Sequence, residues 1–93
     1  MSAKYLNAVL ENESFGTATK KMIMVVIADH ADNDGRSRVT VDEIARKSCL
    51  TYDGAHKNLK KLRNEGWFDV KLEKPRDGNE YILDIKKLKG GIK

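Results

Sequence analysis

The amino-acid sequence predicts a small, mostly helical α+β domain in which about three to four helices precede a two-stranded β-hairpin. Before Gly66, apolar residues recur at helical spacing behind threonines that can cap helices. After Gly66, apolar and charged residues alternate, which is the period of a half-buried strand. With 93 residues the chain has the length of one domain, so we expect residues 1–93 to form a single unit.

The first part of the chain is expected to be helical. Residues 1–14 form a predicted N-terminal helical extension, with apolar side chains at helical spacing: Ala3, Leu6, Val9 and Leu10. The run MIMVVIA, residues 22–28, follows a threonine cap at Thr17 or Thr19 and fits either a buried strand or a helix. We favour a helix because the segment extends over about 13 residues, and such an apolar helix belongs in the centre of the core.

The next segment, HADNDGRSRVTV, resembles an EF-hand calcium loop in the spacing of its polar residues. That loop begins with aspartate and ends with a bidentate glutamate, whereas His30 and Val41 occupy those two positions here. We therefore predict a polar loop that turns at Gly35, and no metal site.

Two helices joined by a short turn are predicted next. Thr40 and Glu43 form a capping box, which opens a helix over about residues 41–47. Ser48-Cys49-Leu50 then interrupts the helical pattern, and Thr51 caps a longer helix that stops at Gly66. The apolar residues of the longer helix share one face: Ala55, Leu59 and Leu62.

The last third of the sequence has the alternating pattern of a β-hairpin. Phe68, Val70 and Leu72 alternate with charged residues, and Tyr81, Leu83 and Ile85 alternate back in the same way. Between them, residues 74–79 contain the proline and glycine of a turn. Residues 86–93 are basic and contain glycine, so we expect a flexible tail.

Charge is distributed unevenly along the chain. Residues 1–35 contain three basic and five acidic residues, whereas residues 36–93 contain 15 basic and nine acidic residues. The first part therefore has a balance of −2 and the second a balance of +6. Such asymmetry indicates a basic surface for a polyanion, although a lysine-rich face can also serve solubility alone.

The order of these elements is typical of a winged helix-turn-helix, in which the second helix of the pair enters the major groove and the hairpin approaches neighbouring phosphates. With the apolar face turned inward, the helical period predicts the outward DNA contacts. The candidate DNA-binding residues on the helix and at the hairpin turn are Thr51, Tyr52, Asp53, His56, Lys57, Lys60, Lys61, Lys74 and Arg76.

Residues 17–68 also resemble a known family. The pieces ADHA (28–31), NDG (33–35), IA (44–45) and LT (50–51), with the ending LRNEGWF (62–68), are similar to the winged helix-turn-helix domain of phage replication-protein-O-type proteins and small phage or plasmid regulators. Family members usually carry glycine where Cys49 stands and threonine-valine where Gly54 and Ala55 stand. A cysteine in the left-handed backbone conformation costs about 1–2 kcal/mol. The turn between the two helices, which we call the corner, therefore either keeps this conformation at Cys49 or has a different shape.

We therefore expect a sequence-specific protein for double-stranded DNA, either a small phage- or plasmid-type transcriptional repressor or an accessory factor. No helicase-loading domain follows in this sequence, so the resemblance implies DNA binding more than an initiator role. The alternatives are a winged-helix protein–protein interaction module and a replication-origin-binding factor. The sequence shows no serine, cysteine or carboxylate constellation with a side chain that could act as its general base. We therefore expect no enzyme, no catalytic residues and no cofactor.

The remaining expectations concern environment and assembly. A single cysteine excludes an internal disulfide framework, and no apolar run is long enough for a membrane span, so we expect a bacterial cytoplasmic protein. No small-molecule ligand is indicated by the sequence. The N-terminal segment could pair two copies into a homodimer or fold back onto its own core.

Overall fold

The computed structural model describes residues 3–72 and 78–90, which form an α+β fold of five helices and one antiparallel sheet of three strands. The elements in chain order are α1 (Ala3–Glu11), α2 (Ala18–Asp29), β1 (Arg36–Val39), α3 (Val41–Lys47), α4 (Tyr52–Asn64), β2 (Phe68–Leu72), β3 (Asn79–Leu83) and α5 (Ile85–Gly90). The mostly helical α+β class is thus confirmed, with more helices and one more strand than the sequence predicted.

Threonines begin the three central helices. The Oγ1 atoms of Thr17, Thr40 and Thr51 each accept a hydrogen bond from the backbone N–H three residues later, at 3.0–3.1 Å. Each cap satisfies one of the amides that a helix leaves free at its start, which contributes about 1 kcal/mol. Glu43, predicted to complete a capping box with Thr40, instead places its Oε2 atom 2.7 Å from His30 Nε2.

The apolar run MIMVVIA, residues 22–28, lies in helix α2 at the centre of the core, so the helix that the sequence favoured over a strand is confirmed. In α2 the side chains of Ile23, Met24 and Ile27 are completely buried, and α2 contacts α1, α3, α4 and β1. A strand could have turned only one or two faces to these neighbours, whereas a helix contacts them all around its axis.

The sheet differs from the predicted hairpin because β1 joins it. The strand order is β1-β3-β2, and β1 pairs with β3 from Arg36↔Ile82 to Val39↔Asn79. The prediction of a polar loop for these residues is therefore wrong. Ser37 and Val39 point inward while Arg36 and Arg38 point outward, and Ser37 Oγ donates a 2.6 Å bond to Ile27 O. A buried serine at an inward position hid the alternation of apolar residues.

The predicted flexible tail is also wrong for most of its length. Residues 85–90 form α5, so Ile85 begins a helix rather than ending a strand. Leu88 is fully buried, and its carbonyl accepts a 2.8 Å hydrogen bond from Nδ2 of the buried Asn12. Leu88 and Asn12 therefore help to hold this helix against the rest of the domain, while residues 91–93 lie outside the described residues.

The N-terminal extension folds back onto its own domain. Helix α1 contacts α2 and α5, and Tyr5, Ala8 and Val9 are buried. Leu6 is partly buried against the core and Leu10 is half exposed. A homodimer through this segment stays a proposal that would depend mainly on Leu10.

Two turns contain a residue in the left-handed backbone conformation, the first at Gly35 and the second at Cys49. Gly35 has φ +83° and lies against the ring of Tyr5, whose Oη would be 2.7 Å from an added Cβ, so only glycine fits the predicted turn. Cys49 has φ 58° between α3 and α4. The corner is therefore kept with cysteine in the left-handed conformation.

Within the described residues, no helix has the length and apolar character needed to cross a membrane.

Candidate nucleic-acid interface

Helix α4 has one face fixed by packing. Ala55 and Leu62 are completely buried and Leu59 nearly so, with α2, α3 and β2 as the contacting elements. Burial of each leucine contributes roughly 1.5–3 kcal/mol. Because this contact sets the rotation of the helix about its axis, it also determines which side chains face solvent.

All of the predicted contacts on α4 and at its cap are exposed: Thr51, Tyr52, Asp53, His56, Lys57, Lys60 and Lys61. They occupy the solvent-exposed part of α4 and its cap, and Tyr52 borders the buried face. The two remaining candidates, Lys74 and Arg76, lie outside the described residues, so the predicted contacts at the hairpin turn have no position here.

The lysines on this face differ from the basic residues of α3. Arg46 Nε lies 3.1 Å from Asp42 Oδ2, and Lys47 Nζ lies 3.8 Å from Glu43 Oε2. By contrast, Lys57, Lys60 and Lys61 form no ion pair within residues 3–72 and 78–90. Their charges are therefore not neutralised by a carboxylate of the described part of the chain.

Two aromatic rings lie side by side at the N-terminal end of α4. The rings of Tyr52 and His56 stack with their planes 13° apart and their centroids 6.3 Å apart. Tyr52 is 46% exposed, although it is a large aromatic residue. A flat aromatic surface beside a helix N-terminus can contact a base edge or a thymine methyl group.

Gly54 has a local explanation. A Cβ at this position would lie 3.1 Å from Thr51 Oγ1, the atom that caps the helix through the Gly54 amide. The Gly54 carbonyl also accepts a 2.8 Å bond from Asn58 Nδ2. The glycine thus gives space to the cap, a reason that the sequence pattern did not suggest.

The C-terminal end of α4 is held by residues from three other parts of the chain. The Glu65 carboxylate accepts hydrogen bonds from Lys20 Nζ of α2 at 2.5 Å and from Trp67 Nε1 at 3.0 Å. Lys87 of α5 donates to the Glu65 backbone carbonyl, and its Nζ lies 4.9 Å from the centroid of the Trp67 ring. We call these four residues, Lys20, Glu65, Trp67 and Lys87, the α4 clamp.

The charge of Glu65 is stabilised in the clamp. The hydrogen bond from Lys20 is the main cause that lowers the pKa of Glu65, and burial opposes it. The Trp67 bond and the charges of Lys20 and Lys87 lower the pKa further. The sequence does not predict the α4 clamp, because Lys20 and Lys87 lie 45 and 22 positions from Glu65 and no local spacing relates them.

The aromatic residues near this clamp pack against one another inside the fold. Trp67 is buried and its ring lies 4.6 Å from that of Phe15, centroid to centroid. Tyr81 is buried on β3 and meets Phe68 edge-on at 5.1 Å. Neither ring is placed to stack on an exposed base.

The residues of the calcium-like loop bond to one another and to the backbone. His30 Nδ1 lies 3.0 Å from Val26 O, and Asp32 Oδ1 accepts bonds from the amides of Asp34 and Arg36. In the part of the chain that the structure describes, no group of three or more His, Cys, Asp or Glu side chains is arranged to hold a metal ion.

Comparison of the chain with protein-family models, with curated protein sequences and with solved structures gives no match.

Proposed function

We propose that this chain is a winged helix-turn-helix protein that binds double-stranded DNA, with α4 as the recognition helix and the β2–β3 pair as the wing. The order α2, β1, α3, α4, β2, β3 supports the proposal, because it combines a tight helix pair with a following antiparallel strand pair. The left-handed residue at Cys49 supports it further, since it turns the chain sharply between α3 and α4.

The observation that carries the proposal is the exposed cationic face of α4. Lys57, Lys60 and Lys61 have no carboxylate partner in the described residues, and they lie on a helix whose opposite face fixes its orientation. A helix of this diameter fits the major groove of B-DNA, where such lysines reach phosphates or base edges. The +6 balance of residues 36–93 favours the same polyanionic partner.

The residues have different roles in this proposal. Lys60 and Lys61, further along the helix, contact phosphates and contribute affinity without sequence preference. His56 and Lys57, in the N-terminal half, contact base edges, and Asp53 accepts a hydrogen bond from a cytosine amino group. The chain then acts as a small regulator or accessory factor of phage or plasmid type, which represses transcription by occupying its site.

The test is a paired titration on two labelled duplexes, one selected from a random pool by the wild-type chain and one of random sequence. His56→Ala and Lys57→Ala should weaken binding to the selected duplex by about 1–3 kcal/mol and affect the random duplex less. Lys61→Ala, on the same helix, serves as the matched phosphate-contact control and should weaken both duplexes equally.

Equal losses on both duplexes for all three variants would leave α4 as an electrostatic surface only. If neither duplex binds, the proposal fails and a winged-helix module for protein partners takes its place.

A further inference from the structure

A groove of about 240 Å³ lies between α4 and the sheet. Its floor consists of apolar side chains that belong to the core or pack against it: Val41, Leu59, Phe68, Val70 and Tyr81. The groove is smaller than the ~300–1,000 Å³ pockets that hold drug-sized ligands. It therefore suits a small molecule with an apolar frame.

The rim of the groove is cationic. His56, Lys60 and Arg63 line it from α4, at the spacing that places side chains on one stripe of a helix. None of the described residues that line the groove is an aspartate or glutamate. Since Lys60 has no ion-pair partner in the described residues, an anion in the groove would meet a charge that is not already neutralised.

The sheet side of the groove holds a buried acceptor that has no partner among the described residues. Asn79 is 9% exposed, and its Nδ2 donates a 3.2 Å hydrogen bond to Tyr81 Oη. Its Oδ1 is buried and accepts no hydrogen bond from residues 3–72 and 78–90. A buried carbonyl oxygen that has lost water without gaining a donor is unfavourable. A rotation of the Asn79 side chain that brings Oδ1 to the groove, where a ligand can donate a hydrogen bond to it, would therefore be stabilising.

From these three features we propose that the groove binds a small organic anion with one carboxylate and one hydrogen-bond donor on an apolar frame of roughly ten non-hydrogen atoms. The carboxylate contacts Lys60 and His56 at the rim, the frame covers the apolar floor, and the donor reaches Asn79 Oδ1. The sequence had indicated no such ligand, because the groove joins residues of α3, α4, β2 and β3.

The inference deepens the proposed function and rests on it for one consequence. His56 and Lys60 belong both to the groove and to the DNA-binding face of α4. The anion and DNA therefore exclude one another, and the ligand releases the chain from its site. Binding of the anion itself does not depend on DNA, so the two proposals are tested separately.

The direct test is a titration of the ¹⁵N-labelled full chain with 4-hydroxybenzoate, without DNA, followed by NMR. We expect saturable shifts at the groove with a dissociation constant in the millimolar range, as is usual for ligands of about ten atoms. Benzoate lacks the donor and should bind about fivefold more weakly, and phenol lacks the carboxylate and should bind about tenfold more weakly. Inorganic phosphate, which lacks the apolar frame, should not saturate the groove.

Three variants assign the contacts. Lys60→Gln should weaken 4-hydroxybenzoate about fivefold, and Asn79→Leu should remove its advantage over benzoate. Lys61→Gln is the matched control, because Lys61 is the neighbouring lysine of α4 and does not line the groove; it should leave the affinity unchanged. Because Lys60 is exposed, Lys60→Gln should fold normally, and it tests the proposal even if Asn79→Leu does not fold.

The proposal is overturned by an absence of saturable shifts at the groove up to about 20 mM, by equal binding of phosphate, or by full affinity of Lys60→Gln. A DNA competition experiment then tests the consequence. If the ligand binds and DNA does not, the proposed DNA-binding function is wrong and the anion site is retained. If DNA binds and the ligand does not, the anion site is wrong and the DNA-binding function is retained.

Discussion

Lys87 of α5 donates a hydrogen bond to the backbone carbonyl of Glu65, at the end of α4, and so joins the last helix of the described chain to the proposed recognition helix. The carbonyls of a helix C-terminus lack partners within the helix, and a lysine there satisfies one of them and complements the helix dipole. The same ammonium group lies over the Trp67 ring. The orientation of α4 thus depends on a residue 22 positions away in sequence.

Replacement of Lys87 by alanine should therefore destabilise the protein by about 1–2 kcal/mol, from the lost carbonyl bond and the lost contact with the Trp67 ring. Urea denaturation followed by Trp67 fluorescence measures this change. Lys86→Ala is the matched control because Lys86 is exposed on the same helix and should give almost no change. A similar effect of both variants would mean that the charge of α5, rather than the clamp, is responsible.

The clamp also predicts a pH dependence. Because the folded-state pKa of Glu65 lies below its unfolded value of about 4.5, ionised Glu65 stabilises the fold above that value. This contribution is lost as pH falls through the folded-state pKa. The side chain is 40% exposed, so solvent screens the effect.

Glu65→Gln should consequently lower the unfolding free energy at pH 7 and have little effect at pH 3, as measured by denaturation at both values. Glu80→Gln is the control variant, since Glu80 forms no ion pair in the described residues. An equal loss of stability at pH 3 and pH 7 for Glu65→Gln would show that the carboxylate charge does not contribute.

The corner between α3 and α4 gives a third prediction. Cys49 has φ 58°, a conformation that costs an L-residue about 1–2 kcal/mol and glycine almost nothing. Cys49→Gly should stabilise the protein by up to about 1 kcal/mol, because the greater freedom of glycine in the unfolded chain offsets part of the gain.

The control is Cys49→Ala, which removes the exposed sulfur but retains Cβ and should give no gain. Thermal or urea unfolding of the three proteins measures the difference. Stabilisation by alanine equal to that by glycine would assign the effect to the thiol and not to the backbone.

Gly54 supplies a prediction about the N-terminal cap. Alanine is favoured over glycine inside a helix by about 1 kcal/mol, but its Cβ would lie 3.1 Å from the capping atom of Thr51. Loss of a threonine cap costs about 1 kcal/mol, so the two effects of Gly54→Ala should nearly cancel. In a Thr51→Ala background the same substitution should stabilise by about 1 kcal/mol.

A double-mutant cycle of unfolding free energies measures this coupling. Equal effects of Gly54→Ala in both backgrounds would show that the glycine is not coupled to the cap.

The sequence predicted the elements whose signals are local. Threonine caps at Thr40 and Thr51, helical spacing in α2 and α4, and the change of period at Phe68 identified those elements nearly to the residue. It missed β1 because four residues with an inward serine resemble a loop. It missed α5 because a six-residue basic helix is too short to be stable alone, and this one depends on tertiary contacts such as those of Leu88 and Asn12 in addition to its Asp84 cap.

For the candidate site, the helical period correctly predicted which residues of α4 are exposed, since the buried positions Ala55, Leu59 and Leu62 are evident in the sequence. The α4 clamp and the groove could not be predicted in this way. Both consist of residues that come together only when α2, α5 and the sheet pack around α4. Sequence spacing therefore predicted an exposed face, and the fold determined its supports.

In the proposed function, Lys57, Lys60 and Lys61, which have no carboxylate partner in the described residues, bind the phosphates and bases of duplex DNA. The most direct measurement is fluorescence anisotropy of a labelled random duplex across a salt series. We compare the wild type with a Lys57→Gln, Lys60→Gln, Lys61→Gln triple variant and with a Lys4→Gln, Lys86→Gln, Lys89→Gln control that loses the same charge from α1 and α5. Five or six phosphate contacts predict a log–log slope of about −5 for the wild type and for the control, and about −2 to −3 for the α4 variant. A slope near zero would show that the chain does not bind DNA through its charges, and equal slopes for both triple variants would show that the lysines of α4 are not the contacts.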